Sequence, residues 1–295
     1  MARALSSKMP DTRDSRTPGD GDEMAGRRTS QDYWDANWAR ASAASSREPR
    51  GSYYWRSFDA IFDRAFTGLD TKTLCLIELG AGASEWLPRL ASRFGFTVAG
   101  LDYSEIGCAR GRALMQAAGI DATMHRGDVF YPTDNLVGAF DVVVSFGLVE
   151  HFDDTAATLA SFARYARLGG LVFTMAPNMR GLYGWLYRVL DRRVFDLHVP
   201  LNAADLARGA RQAGLTVVES GYVLGLPGVI DGARQEGRPL RRALRTAAHR
   251  VTRLYWRLEA AGCGVPRNRF TSPYAYCVAR KPIVTPVEPE RTVPA

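Results

Sequence analysis

The sequence predicts an α/β architecture: a mostly parallel sheet with helices on both faces. Three observations carry that expectation. Short apolar runs alternate with helical patterns through the middle of the chain. The first run closes in a Gly-rich turn, Glu78-Leu79-Gly80-Ala81-Gly82-Ala83-Ser84. Polar residues, Asp102, Asp128 and Ser145, stand at or just after the ends of later runs, where such a sheet binds its ligands. With 295 residues, 46% of them hydrophobic, the chain can bury one large domain with additions.

In chain order, residues 1–29 are Ser, Asp, Arg, Pro and Gly with scarcely an apolar residue after Met9, too little to bury, and read as a disordered tail. Residues 30–70 read as an N-terminal helical cap. Its first half is Asp32-Tyr33-Trp34-Asp35-Ala36-Asn37-Trp38; its second has a helical stripe of Tyr54, Trp55, Phe58, Ile61, Phe62 and Ala65. The main domain spans 71–281. Strands fall near 73–79, 97–102, 121–125, 140–146, 171–176, 215–224 and 272–281, and helices near 84–94, 104–118, 154–167 and 202–213. Two inserts decorate it: 177–200, aromatic and punctuated by glycine, and 225–268, which holds a basic amphipathic helix over 239–261. Residues 282–295 form a flexible tail.

An apolar strand that runs into a Gly-rich turn and then a helix start marks a nucleotide-cofactor site, because glycine lets the backbone approach the ligand and the helix presents free N–H groups. About 20 residues beyond the turn, Asp102 ends the second strand, where a carboxylate can accept from both ribose hydroxyls. Taken alone, Asp102 also reads as a cap for the helix starting at Ser104, and Asp128 as a turn residue after Gly127. A dinucleotide fingerprint wants a third small residue where this chain has Glu85. Lysine is absent between 72 and 281, so no Tyr-x-x-x-Lys pair exists either.

The set Glu78-x-Gly80-x-Gly82, Asp102-x-Ser104, Gly127-Asp128 and Val149-Glu150-His151 resembles the class I S-adenosylmethionine-dependent methyltransferases, small-molecule branch, over about 74–223 plus the last strand. The resemblance implies a Rossmann-like seven-stranded sheet whose last strand runs antiparallel between strands five and six. It implies S-adenosylmethionine as cofactor, with the Glu78, Gly80 and Gly82 turn facing the methionine part. Asp102 would hold the ribose and Tyr103 would lie beside the adenine. Asp128 would accept from the adenine amino group, while Val129 would donate its backbone N–H to the ring. Ser145 and Phe146 would line the sulfonium. Helices ahead of the first strand would fold over the cofactor, making Tyr33, Trp34 and Trp38 candidates for a lid; a packed cap without ligand contact is the other reading. His151 is the candidate base and His198, leading back from the first insert, a candidate substrate contact. His125 and His249 read as structural or exposed.

No run of about 18 apolar residues or apolar leader is present, and Cys75, Cys108, Cys263 and Cys277 form no C-x-x-C pair, so a cytoplasmic protein is expected. No Asp, Glu or His cluster has metal-ligand spacing. Between Ala233 and Arg269, ten arginines face only Glu236 and Glu259. A solvated face, a rim steering anionic substrates, contact with a membrane surface and contact with nucleic acid all remain open for them. The aromatic Asn/Asp-Pro-Pro motif of nucleic-acid amino-methyltransferases is missing after strand four, so a small-molecule acceptor is expected, anionic or aromatic, or a quinone or lipid precursor. Oligomeric state and acceptor atom are not readable. The rival is a non-catalytic protein that keeps the cofactor fold.

Overall fold

The structure, a computed structural model, describes residues 26–40, 52–226, 239–264 and 266–283. Seven strands form one sheet: β1 (Cys75–Leu79), β2 (Thr97–Asp102), β3 (Ala122–Arg126), β4 (Phe140–Phe146), β5 (Ala166–Pro177), β6 (Thr216–Val223) and β7 (Tyr274–Arg280). Their order is β3-β2-β1-β4-β5-β7-β6. The first five are parallel, and β7 runs antiparallel between β5 and β6. β1 and β4 are nearly continuous apolar runs because both faces of the sheet are covered. Alternate side chains feed two cores: Leu76, Val142 and Phe173 on one face, Ile77, Val143 and Val172 on the other.

The helices are α1 (Gln31–Arg40), α2 (Tyr53–Ala65), α3 (Trp86–Phe94), α4 (Glu105–Ala117), α5 (Thr155–Tyr165), α6 (Leu182–Leu190), α7 (Arg192–Asp196), α8 (Ala203–Gln212) and α9 (Pro239–Ala260). Their starts carry the caps their sequences offer. Ser104 Oγ accepts from Gly107 N at 2.9 Å, Asp154 from Ala157 N at 2.9 Å, and Asn202 with Asp205 forms a capping box. The stripe of α2 packs as read, and Asp59 ties it to α3 by accepting from Arg89 at 2.9 and 2.5 Å.

Two expectations need revision. β5 begins at Ala166 rather than near 171, so the helix before it ends at Tyr165; Gly170 permits the early start, since a Cβ there would lie 2.9 Å from Arg167 O. The tail boundary at 29 falls inside a packed segment: Arg27 bridges to Phe152, Arg28 N donates to His151 O at 2.8 Å and Asp153 N to Gly26 O at 3.0 Å. Residues 1–25, and 284–295 of the C-terminal tail, lie outside the described residues.

α9 is a separate case. Its sequence shows an apolar stripe of Leu240, Leu244, Ala247, Val251, Leu254 and Leu258, whose packing on the domain is one of the readings left open. The side chains of its first three members lie outside the description. Val251, Leu254 and Leu258 are exposed, while Thr252 and Trp256 are buried, the indole 5.7 Å from the Tyr54 ring. The helix carries two apolar faces, and the one with the larger ring, which gains most from burial, faces inward. Among the described residues no helix is long and apolar enough to cross a membrane.

Candidate functional site

The site lies at the carboxyl ends of the central strands, where Leu79 of β1 stands opposite Leu101 of β2 and Ser145 of β4. The chain leaves β1 through Gly80 and Gly82, at φ of 72° and 35°, left-handed values that favour glycine. Gly80 N and Ala81 N both donate to Leu101 O, at 2.8 and 3.0 Å, folding the turn against β2. α4 then closes on the turn through its own glycines. A Cβ on Gly111 would sit 2.5 Å from Gly82 O, and one on Gly107 would lie 3.2 Å from Gly82 Cα. The small-residue contact that Glu85 cannot make is thus supplied from α4.

Gly80, Asp102, Tyr103, Asp128, Val129, Trp34 and His151 line one pocket, as a cofactor site requires. Asp102 is buried, and burial pushes its carboxyl up to about 6, against the pull of the Ser104 N–H that donates to it at 2.8 Å. It remains mostly ionised at pH 7. Ser104, not Asp102, caps α4. Asp128 does shape the turn, accepting from Phe130 N at 3.0 Å, while Ser161 and Tyr165 of α5 anchor the neighbouring Val129 carbonyl at 2.5 and 3.1 Å.

The other expected residues sit elsewhere. Glu78 lies behind the turn, 1% exposed; burial pushes its carboxyl up to about 8 despite a hydrogen bond with Ser84. Ser145 is buried without reaching the lining, and Phe146 stacks on Trp86 at 4.8 Å in the core beneath α2. The wall at that level is Gly147 and Leu148. Gly82 is covered by Trp38, whose ring a Cβ there would meet at 2.3 Å.

The N-terminal segment closes the pocket, leaving a cavity of about 40 Å³. Trp34 stacks on Trp38 at 5.8 Å and donates from Nε1 to Thr29 Oγ1 at 3.0 Å. Arg27 forms an ion pair with Asp128 and lies over Tyr103 and Phe152, 5.0 and 5.3 Å from their ring centres. Arg27, Thr29, Gly147, Leu148 and Phe152 are lining residues that sequence reasoning missed. Arg27 and Thr29 stand in a stretch with too few apolar neighbours to signal order.

At the far end, His151 is 4% exposed and edge-on to Trp34 at 5.2 Å. Its Nδ1 donates to Leu197 O at 3.0 Å, because a carbonyl can only accept. Burial, then the neighbouring His198, pushes its pKa down to about 3, so the ring is neutral at pH 7 and a weak base. His198 is not in the pocket lining, but its ring centre is 4.7 Å from that of His151, and its Nδ1 donates to Val194 O at 2.6 Å. The first insert returns here, Val199 N donating to Glu150 O at 2.7 Å. Glu150 is fully enclosed, and burial pushes its carboxyl up to about 8. The fold therefore gathers a carboxyl and two imidazoles that sequence spacing keeps apart.

Residues 30–220 match the family model for the methyltransferase domain. The ubiquinone biosynthesis O-methyltransferase of Aromatoleum aromaticum is 29% identical over 153 residues, covering 49% of this chain and 64% of that protein. Its counterpart in Nitrosomonas europaea is 29% identical over 169 residues, 55% of this chain and 70% of that one. The matched region thus spans about two thirds of these relatives' length. Among solved structures, a putative sarcosine dimethylglycine methyltransferase from Galdieria sulphuraria superposes with a TM-score of 0.54 at 16% identity, covering 86% of this chain and 98% of that one. A Haemonchus contortus phosphoethanolamine N-methyltransferase in complex with S-adenosylmethionine gives 0.54 at 17% identity, covering 88% and 59%. At such identities these two likenesses speak for the fold alone.

Proposed function

Because the chain belongs to the class I S-adenosylmethionine-dependent methyltransferases, we propose that it transfers a methyl group to a hydroxyl of a small molecule held beside His151. One observation carries this reading. Gly80, Asp102 and Asp128, at the ends of the neighbouring strands β1, β2 and β3, line one pocket that continues to His151. Asp102 holds the ribose, Asp128 and Val129 the adenine edge, and Tyr103 a ring face. The turn takes the methionine part, which requires Trp38 to swing off Gly82 and Arg27 to leave Asp128. S-adenosylmethionine supplies a methyl group already activated on a sulfonium, so the protein's task is chiefly alignment and proton removal. His151 holds the acceptor oxygen, with His198 packed beside its ring. An oxygen acceptor is supported by the relatives, whose names are those of O-methyltransferases. The buried thiols Cys108 and Cys277 fit a reducing cytoplasm.

Calorimetric titration with S-adenosylmethionine, its demethylated product and NAD tests the cofactor assignment: micromolar binding of the first two without NAD is expected, and binding of NAD alone would overturn it. Turnover is then assayed against matched phenols, hydroxy acids and amines. Methylation of amines only would defeat the hydroxyl assignment.

A further inference from the structure

We propose that Glu150, His151 and His198 form a binding site for one divalent first-row transition-metal ion at the acceptor end of the pocket. Donor atoms of the three side chains lie within 4.8 Å of one another, and this is the one such group of His, Cys, Asp or Glu among the described residues. It is assembled from two segments, the turn after β4 and the return of the first insert, which the Val199 N–Glu150 O bond clamps together.

The polar bookkeeping of the cluster is that of a ligand set. Each imidazole uses Nδ1 to donate to a backbone carbonyl, Leu197 O and Val194 O, which fixes the tautomer and leaves Nε2 with a lone pair. Metal-binding histidines are oriented in this way by their outer partners. Glu150 Oε2, in a side chain 1% exposed, has no hydrogen-bond partner. A buried oxygen left so costs about 1–3 kcal/mol, more if charged, and calls for a partner.

Two imidazoles and one carboxylate suit zinc, iron, cobalt or manganese, whereas magnesium prefers oxygen ligands. Such an ion holds its donors at about 2.0–2.2 Å, so the side chains close in by χ rotation when it binds. Arg28 is the cation beside the cluster, its Nη1 donating to His198 O at 3.5 Å and to Asp196 O at 3.2 Å. Its charge is matched by Asp153 at 2.6 Å. With Glu150 ionised on binding, the site takes up a dication without a second uncompensated charge.

His151 lines the pocket, so a three-ligand ion there keeps positions for an acceptor oxygen. Coordination lowers the pKa of such an oxygen, which a neutral, weakly basic imidazole pair cannot do. That use rests on the methyl-transfer reading above; the binding site does not.

The test uses the full chain after treatment with chelator, titrated with Co²⁺ and followed by its visible d–d absorption, with Zn²⁺ competition. One equivalent should bind, giving a band that Zn²⁺ abolishes. His198→Ala and Glu150→Gln should each weaken binding by roughly tenfold or more, the scale of a lost ligand or partner, while His198→Asp restores the band and His125→Ala leaves it unchanged. Circular dichroism verifies the fold of each variant, and titration with the demethylated cofactor is run in parallel. Absence of stoichiometric Co²⁺ binding to the wild-type chain would overturn the proposal, as would binding unaltered by His198→Ala. Cofactor binding without metal binding sinks the metal site alone. Metal binding without cofactor binding sinks the methyl-transfer reading alone.

Discussion

The two ends of the pocket are built by different means. At the cofactor end, each functional group is the last residue of a strand or lies within two residues of it: Gly80 after β1, Asp102 on β2, Asp128 after β3. A strand end is placed by the sheet register, so local pattern and position in the fold coincide. At the acceptor end, Glu150 and His151 meet His198 from an insert 47 positions away, and across the pocket Arg27, Thr29, Trp34 and Trp38 arrive from ahead of the first strand. There, tertiary packing alone decides who meets whom. The contrast shows that strand ends are placed by the sheet, whereas the groups brought by inserts are placed by packing alone.

The largest expected effect separates the two ends. His151→Ala should lower turnover by roughly 10²-fold or more, the scale of a lost group that positions or relays the acceptor proton, while cofactor affinity stays within about twofold. Steady-state kinetics beside calorimetry reads the split, and equal losses in both quantities would erase the distinction. Asp102→Ala should do the reverse in binding, weakening S-adenosylhomocysteine by about 10–100-fold, the scale of hydrogen bonds to a charged group. Affinity unchanged in that variant would remove Asp102 from the cofactor site.

The same contrast explains how much could be read from the chain alone. The seven strands and the grouping of Gly80, Asp102 and Asp128 are legible because apolar runs of strand length and turn residues are local signals, whereas the antiparallel direction of β7 and the places of Tyr103 and Val129 are implied by the family resemblance. Ser145 and Phe146 were placed one or two residues too early: the strand's last side chains still alternate into the cores, and the pocket wall begins at Gly147. Arg27 was illegible because its order comes from Asp128 and the edges of Tyr103 and Phe152, not from its neighbours. The packed face of α9 is not legible, since periodicity shows that a helix has an apolar stripe but not which face the domain covers. A paired variant sharpens this point: Trp256→Ala should cost about 3–5 kcal/mol in denaturant unfolding, whereas Leu254→Ala, on the exposed face, should stay within about 0.5 kcal/mol. Similar costs would mean that the stripe packs after all.

A smaller effect is expected where the two ends touch. If Asp128 accepts from the adenine as proposed, its ion pair with Arg27 has to open first, and apparent affinity is lowered by the fraction of molecules that are open. Arg27→Ala should therefore tighten S-adenosylhomocysteine by about 2–10-fold and speed its association in stopped-flow fluorescence of Trp34 and Trp38. Weaker binding instead would make Arg27 part of the closed cofactor site rather than its competitor.

The smallest effect concerns Glu78, an expected cofactor-end residue that is absent from the pocket lining. Burial raises its carboxyl from 4.5 to about 8, so the folded chain keeps a proton there that the unfolded chain has released. Folding then binds more protons than unfolding, and stability falls as pH rises. The contribution is complete below about 4.5 and is lost as pH climbs through about 8. His151 acts in the opposite sense, its depressed pKa costing stability only as pH drops from 6.5 toward about 3. Between pH 5 and 8, Glu78→Gln, which never ionises, should flatten the decline in melting temperature, by roughly 2–4 °C for each kcal/mol relieved in a domain of this size. Thermal melts across that range read the slope. A slope identical to wild type would mean that Glu78 is already ionised in the folded chain, its hydrogen bond with Ser84 outweighing the cost of burial.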